Sequence, residues 1–82
     1  MRRSLLQIPL EDLLSLPSHL QETALALCVL GRGTAEDVAG ITKKARAAES
    51  HYLNQLTLMK LIRKETLAKK VYFWIVPERV RL

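Results

Sequence analysis

The sequence predicts a small α+β domain in which helices come first and a β-hairpin comes last. Three observations support this prediction: the chain has 82 residues, helix start and stop signals punctuate its first two thirds, and β-prone runs occupy its C-terminal third. A chain of this length is about half an ordinary domain, so we expect a single domain over residues 1–82. Its composition, 49% hydrophobic and 26% charged, is typical of a globular chain that folds.

The first long helix is expected over residues 19–30. Ser18 is a suitable N-cap, Gln21 follows three residues later as in a capping box, and Gly31 is a C-terminal stop signal. Every residue from 24 to 30 is apolar. Because the second half of this helix has no polar face, we expect it to lie at the centre of the fold.

Two further helices follow, joined by a tight turn. Thr34 predicts the N-cap of a helix of about two turns that ends at Gly40, and Asp37 strengthens this start signal. Thr42 is expected to cap a third helix that runs from Lys43 to about Met59. Apolar residues recur in it with a period of 3.6, namely Ala45, Ala48, Tyr52, Leu53, Leu56 and Met59. This arrangement predicts a helix-turn-helix.

The pattern then becomes extended. Residues 61–65 and 71–76 are β-prone runs, and the five residues 66–70 between them predict the connection of a β-hairpin. Pro77 ends the second strand because proline cannot donate to a strand ladder. Residues 31–33 are expected to form a loop.

Charge is distributed unevenly along the chain. Residues 1–42 carry three basic and five acidic side chains, a net charge of −2, whereas residues 43–82 carry ten basic and three acidic side chains, a net charge of +7. A cationic half on a small domain is the electrostatic footprint of a protein that binds a polyanion. Lysine-rich solvated surfaces are also common.

Several function classes are disfavoured. The single cysteine excludes an intramolecular disulfide and a Cys-rich metal site, and it fits a reducing, cytoplasmic location. The sequence shows no paired carboxylates, no nucleophile–base set and no phosphate loop. Its longest apolar stretch, residues 24–30, is far too short to span a membrane. We therefore expect no enzyme, no cofactor, no metal and no membrane partner.

Four segments carry a resemblance to a known family: Thr34–Ala39, Arg46–Leu56, Met59–Ile62 and Lys70–Phe73. In these segments the chain resembles the winged-helix regulators of archaea and bacteria, especially the archaeal ones distantly similar to the ArsR and MarR groups. The resemblance implies a winged helix-turn-helix: a three-helix core with a C-terminal β-hairpin wing.

The same resemblance implies a DNA-binding transcriptional regulator, with its third helix in the major groove of double-stranded DNA and its wing against the backbone or the minor groove. Two positions depart from the family pattern. Lys60 stands where the family usually has glycine, and Ala68-Lys69 stands where Gly-Arg is common.

The outward face of the third helix has the side chains that a DNA-reading helix needs, which are small residues for close approach, donors for base edges and cations for phosphates. We expect the DNA-binding residues to be Lys43, Lys44, Arg46, Ala47, Ser50, His51 and Asn54, with Lys69 and Lys70 at the hairpin tip. Arg63 and Lys64 are weaker candidates. By side-chain geometry Asn54 prefers adenine and Arg46 prefers guanine. The alternative is a solvated face on a winged helix that binds protein within a larger assembly.

Other chemically notable residues have structural interpretations. Glu49 falls on the buried side of the third helix, so we expect a structural contact such as a cap to the preceding turn or a pair with a base. Cys28 is expected to be a buried small hydrophobe. The aromatic residues on the last strand, Tyr72, Phe73 and Trp74, favour a core or interface role over base stacking.

Residues 1–16 form an N-terminal extension with a short helix expected over residues 10–14. The extension is rich in Leu and Ile, and its apolar residues exceed what one small core can absorb. We therefore expect a homodimer held partly by this segment, which would also match two DNA half-sites. The alternative is that the segment folds back over its own first long helix and leaves a monomer.

Overall fold

The computed structural model describes residues 10–76 and shows an α+β fold. Four helices and three strands follow one another as α1 (Leu10–Leu14), α2 (Ser18–Leu30), β1 (Arg32–Gly33), α3 (Ala35–Thr42), α4 (Arg46–Leu58), β2 (Ile62–Leu67) and β3 (Lys70–Ile75). The strands form one antiparallel sheet in the order β1-β3-β2. The predicted helix-turn-helix followed by a β-hairpin is confirmed.

The short helix α1 is where the sequence predicts it. Leu13 and Leu16 are buried in the core of their own chain, whereas Leu14 is 65% exposed. This half of the N-terminal extension therefore follows the fold-back alternative. The other apolar residues of the extension on which the dimer expectation rests, Leu5, Leu6 and Ile8, lie outside the described residues.

Helix α2 begins one residue earlier than predicted. Its N-cap is Pro17, whose carbonyl accepts hydrogen bonds from the Leu20 and Gln21 amides. Ser18 is thus inside the helix and cannot cap it, and the Gln21 amide Nε2 donates instead to the Leu16 carbonyl at 2.9 Å. The predicted capping box is wrong. Gly31 ends the helix with a φ of 79°, as predicted.

The apolar run in the second half of α2 is only partly buried. Ala24 and Leu27 are fully buried, but Leu25 is 39% exposed and Val29 is 77% exposed. Helix α2 does lie at the centre of the fold as expected, since it contacts α1, α3, α4, β1 and β3, but one side of its apolar run is exposed. Together with Ile41 of α3, the two exposed side chains line an apolar hollow of about 310 Å³.

Helix α3 begins as predicted and ends later. The Asp37 amide donates to the Thr34 hydroxyl at 3.1 Å, and the Thr34 amide donates to the Asp37 carboxylate at 3.0 Å, which completes a capping box. The helix passes through the predicted stop at Gly40. It ends at Thr42, and the C-cap residue Lys43 has a left-handed φ of 66°.

Helix α4 therefore starts at Arg46, after an N-cap at Ala45, and the predicted start at Lys43 is wrong. Thr42 is the last residue of α3 and does not cap α4. The C-terminal end lies close to the predicted one. Beyond it Lys60 has a φ of 67°, so this lysine occupies the left-handed position for which glycine is best suited.

The sheet differs from the prediction at two places. Residues 32 and 33, expected to be loop, form β1, in which Arg32 pairs with Trp74 and Gly33 pairs with Phe73. The hairpin connection has two residues instead of five. Both have positive φ, 54° at residue 68 and 69° at residue 69, as a type I′ turn requires. We call the hairpin of β2 and β3 the wing.

The core lies between α2, α3, α4 and the inner face of the sheet. Its fully buried side chains include Leu27, Val38, Leu53 and Leu56. Within residues 10–76 no helix has the length and apolar character needed to span a membrane.

Glu49 is a fully buried carboxylate among these apolar side chains. Its two oxygens accept hydrogen bonds from the Thr23 hydroxyl of α2 at 2.5 Å and from the Thr42 hydroxyl of α3 at 2.6 Å. The expected structural contact is confirmed, and it uses hydroxyl donors rather than a basic side chain. Helices α2, α3 and α4 therefore meet at one carboxylate.

Candidate nucleic-acid interface

A groove of about 430 Å³ separates the exposed face of α4 from the wing, with the first turn of α3 at one end. We call it the basic groove. Its polar lining consists of Arg46, Ser50 and Asn54 from α4, Lys64, Lys69 and Lys70 from the wing, and Thr34, Glu36 and Asp37 at the start of α3. The groove is open to solvent along its length, since most of its lining residues are exposed.

The basic groove brings together five of the nine predicted DNA-binding residues. Arg46, Ser50 and Asn54 are spaced four residues apart on α4, so they lie on one face of the helix. The wing folds over against this face and adds Lys69 and Lys70 from its tip. Donors from two elements that are distant in sequence thus line a single concave surface.

The other four predicted residues do not line the groove. Ala47 and His51 are exposed on α4, and Lys43 is exposed in the turn before it. Lys44 forms an ion pair with Glu22 of α2, with a distance of 2.7 Å between Nζ and Oε1. Hydrogen bonding to Glu22 raises the pKa of the Lys44 ammonium above its usual value. The Lys44 charge is therefore already engaged within the chain.

Lys64 belongs to the groove, although the sequence ranked it only as a weaker candidate. Its ammonium Nζ donates to Oδ1 of Asn54 at 2.9 Å, which ties the wing to α4. The alternation of side chains along a strand is the signal that could have identified it. Residue 64 shares a face of β2 with buried Ile62, and that face is turned toward α4, whereas Arg63 and Glu65 are on the opposite face.

The charge of the groove is predominantly positive. Four cations line it, from Arg46, Lys64, Lys69 and Lys70, against the carboxylates of Glu36 and Asp37. Asp37 is occupied by the capping box. In the part of the chain that the structure describes, none of the four cations forms an ion pair with a carboxylate. These charges are available to an anionic ligand.

The outer face of the sheet holds a separate cluster around Arg32. The Arg32 guanidinium carbon lies 5.4 Å from the ring centroid of Tyr72 and 5.0 Å from that of Trp74, within the range of cation–π interaction. Glu65 pairs with the same guanidinium at 3.3 Å. Phe73, on the inner face, is buried in the core as expected. The aromatic residues of β3 thus have partners within the chain.

Among residues 10–76, no group of three His, Cys, Asp or Glu side chains is placed to hold a metal ion. Cys28 is half-buried and packs against the core, so it is less enclosed than the sequence predicts.

Comparison with known proteins identifies a solved structure with a similar fold and a relative that is similar in sequence. No protein-family model matches the chain. The structure is similar to the crystal structure of the AntR antimony-specific transcriptional repressor, with a TM-score of 0.67 and 22% sequence identity, over 82% of this chain. The chain spans 60% of that structure.

In sequence, the chain is 47% identical over 58 residues to an uncharacterized protein of Archaeoglobus fulgidus, and the match covers 71% of this chain and 78% of that protein. The fold shared with AntR is the winged helix that the sequence resemblance implies. The chain therefore belongs to the same family as the Archaeoglobus fulgidus protein and has a winged-helix fold.

Proposed function

We propose that this protein is a DNA-binding transcriptional regulator that acts in the cytoplasm. The observation that carries the proposal is the basic groove, in which cations from α4 and from the wing converge with no carboxylate partner among residues 10–76. Phosphates dominate the affinity of proteins for DNA, so unpaired cations on one concave surface favour this ligand. The fold is similar to that of the AntR transcriptional repressor, which supports the same class of function.

In this proposal α4 enters the major groove of double-stranded DNA. Arg46, Ser50 and Asn54 face the base edges, and exposed Ala47 and His51 extend the contact surface beside them. Lys69 and Lys70 at the tip of the wing contact phosphates, and Lys43 contributes charge from the turn. Lys44 has a smaller role, since Glu22 holds its ammonium.

We further propose that the protein binds DNA as a homodimer. A helix-turn-helix usually reads two half-sites one helical turn apart, which a two-fold dimer matches. The structure buries Leu13 and Leu16 within the chain but leaves Leu14, Val29 and Ile41 exposed. Exposed apolar surface of this kind marks interaction sites, and a second copy is the partner that the DNA geometry requires.

The response to antimony named for AntR is not extended to this chain. Soft metal and metalloid ions favour several thiolate ligands, and the chain has one cysteine.

A comparison of two charge-removing variants tests the proposal. Lys70→Met removes a cation from the basic groove, and Lys44→Met removes one from the ion pair with Glu22. We expect fluorescence anisotropy with random and genomic duplexes to show a clear loss of affinity for Lys70→Met and a small loss for Lys44→Met. Equal losses would show that the basic groove is not the binding surface. Absence of DNA binding would favour the protein-interaction alternative.

A further inference from the structure

Asn54 and Lys64 form a hydrogen-bonded pair inside the basic groove. The distance from Lys64 Nζ to Asn54 Oδ1 is 2.9 Å. The direction of this bond is fixed by chemistry, because an ammonium can only donate and the acceptor must be the amide oxygen. The oxygen of Asn54 therefore faces β2. Its NH₂ group makes no hydrogen bond to another residue in the described range.

We propose that this pair makes the protein select guanine at the base that Asn54 contacts, an inference that rests on the proposed binding of double-stranded DNA. Toward a ligand, the pair offers donors: the two N–H bonds of the Asn54 amide and the remaining N–H bonds of Lys64. The major-groove edge of guanine presents two acceptors, N7 and O6. Donors and acceptors match.

Adenine fits the same pair poorly. Its major-groove edge presents one acceptor, N7, and one donor, the N6 amino group. The usual bidentate contact needs Asn54 Oδ1 to accept from N6. Here that oxygen already accepts a hydrogen bond from Lys64. The adenine N6 amino group would therefore lie beside the Lys64 ammonium, and both groups are donors. The adenine preference expected for an isolated asparagine at position 54 is thus reversed by its neighbour.

Acceptors also line the basic groove, in the Ser50 hydroxyl and the Glu36 and Asp37 carboxylates, but within the described residues none of them is hydrogen-bonded to Asn54 or Lys64. Arg46 and Lys70, which line the same groove, have only donors. The Asp37 carboxylate accepts from the Thr34 amide in the α3 capping box. Acceptor-rich base edges are therefore favoured along this part of the groove.

Three variants test the inference on the full-length protein. Asn54→Ala identifies the contacted base, because the preference at that position should disappear. Lys64→Met removes the ammonium but keeps most of the apolar stem, which releases Asn54 Oδ1. Arg63→Met is the matched control, since it removes one positive charge from the neighbouring position on the opposite face of β2.

Binding sites are first selected from a randomised duplex library, and affinities are then measured by anisotropy at fixed salt. At the Asn54-dependent position we expect wild type to prefer guanine over adenine by about tenfold, and replacement of that guanine by 7-deazaguanine to lose most of the preference. Lys64→Met should reduce the guanine-to-adenine ratio at least several-fold, toward adenine. Arg63→Met should lower the affinity for all duplexes alike and leave the ratio unchanged.

The outcomes separate this inference from the proposed function. Binding without a guanine preference at the Asn54-dependent position, or a preference that Lys64→Met leaves unchanged, would overturn the guanine assignment while DNA binding stands. Failure of wild type to bind any duplex would overturn both.

Discussion

The buried Glu49 carboxylate offers a sharp test of how the three helices are held together. Thr23→Val replaces a fully buried hydroxyl with a methyl group of similar size, so it removes the 2.5 Å hydrogen bond to Glu49 and the 3.1 Å contact of the same oxygen with the His19 carbonyl, with little change in packing. Glu49 is itself fully buried, and water cannot easily replace the lost donor.

Leaving a buried acceptor without its hydrogen-bond donor costs ~1–3 kcal/mol, and we expect a loss in this range. For a domain of this size that corresponds to a fall in Tm of roughly 4–24 °C. Thr42→Val removes the second donor, at 2.6 Å, from a less enclosed position. Its effect should lie toward the lower end of the range.

Urea and thermal unfolding, followed by far-ultraviolet circular dichroism, measure both effects. Thr57→Val is the control, because the Thr57 hydroxyl donates only to the Leu53 carbonyl within α4. Its loss should stay within about 0.5 kcal/mol. A double-mutant cycle of Thr23 and Thr42 should show coupling, since both donate to one carboxylate. If Thr23→Val unfolds like Thr57→Val, then the carboxylate does not join the helices energetically.

Three further expectations concern binding, backbone strain and assembly. Four groove cations from each of two protomers make eight charges, of which we expect about half or more to contact phosphates. A plot of the logarithm of the DNA association constant against the logarithm of the salt concentration should then have a slope near −4 or steeper. A slope flatter than about −2 would contradict the proposed interface. Because Lys60 has a φ of 67°, Lys60→Gly should stabilise the fold by up to ~1 kcal/mol in urea unfolding, and a loss of stability would show that the side chain compensates elsewhere. Sedimentation at micromolar concentration should show a dimer; a folded monomer would defeat the dimer proposal.

Features set by neighbouring residues could be predicted from the sequence. The Thr34–Asp37 capping box and the helix stop at Gly31 each depend on a few consecutive residues. The left-handed Lys60 was indicated by the resemblance, because the family usually has glycine at that position. The stop at Gly40 failed because a glycine within a helix costs only about 1 kcal/mol, which tertiary packing readily offsets. The helix continued until Lys43 turned left-handed.

Features set by distant residues could not be predicted in the same way. Strand β1 has two residues and exists only because Arg32 and Gly33 pair with β3, some 40 positions later. The ion pair of Lys44 with Glu22 also joins separate elements, and it withdraws a lysine that local sequence assigns to DNA. For the candidate site, the face of α4 was therefore predictable, whereas the contribution of Lys64 depended on how the wing packs.

The Glu49 network has a consequence for the groove on the other side of α4. Among described residues of this helix only Leu53 and Leu56 are buried apolar side chains. This apolar stripe is narrow, so by itself it only weakly fixes the rotation of α4 about its own axis. Two hydroxyls from different helices fix the carboxylate in the first turn from two directions. Arg46 and Ser50 lie in the same turn and the next position of that helix, so their direction into the groove follows from the same rotation of the helix about its axis. A carboxylate that does not line the groove thus sets which side chains of α4 face it, and under the proposed DNA binding, base selection would depend on this buried polar contact as well as on the residues that α4 presents.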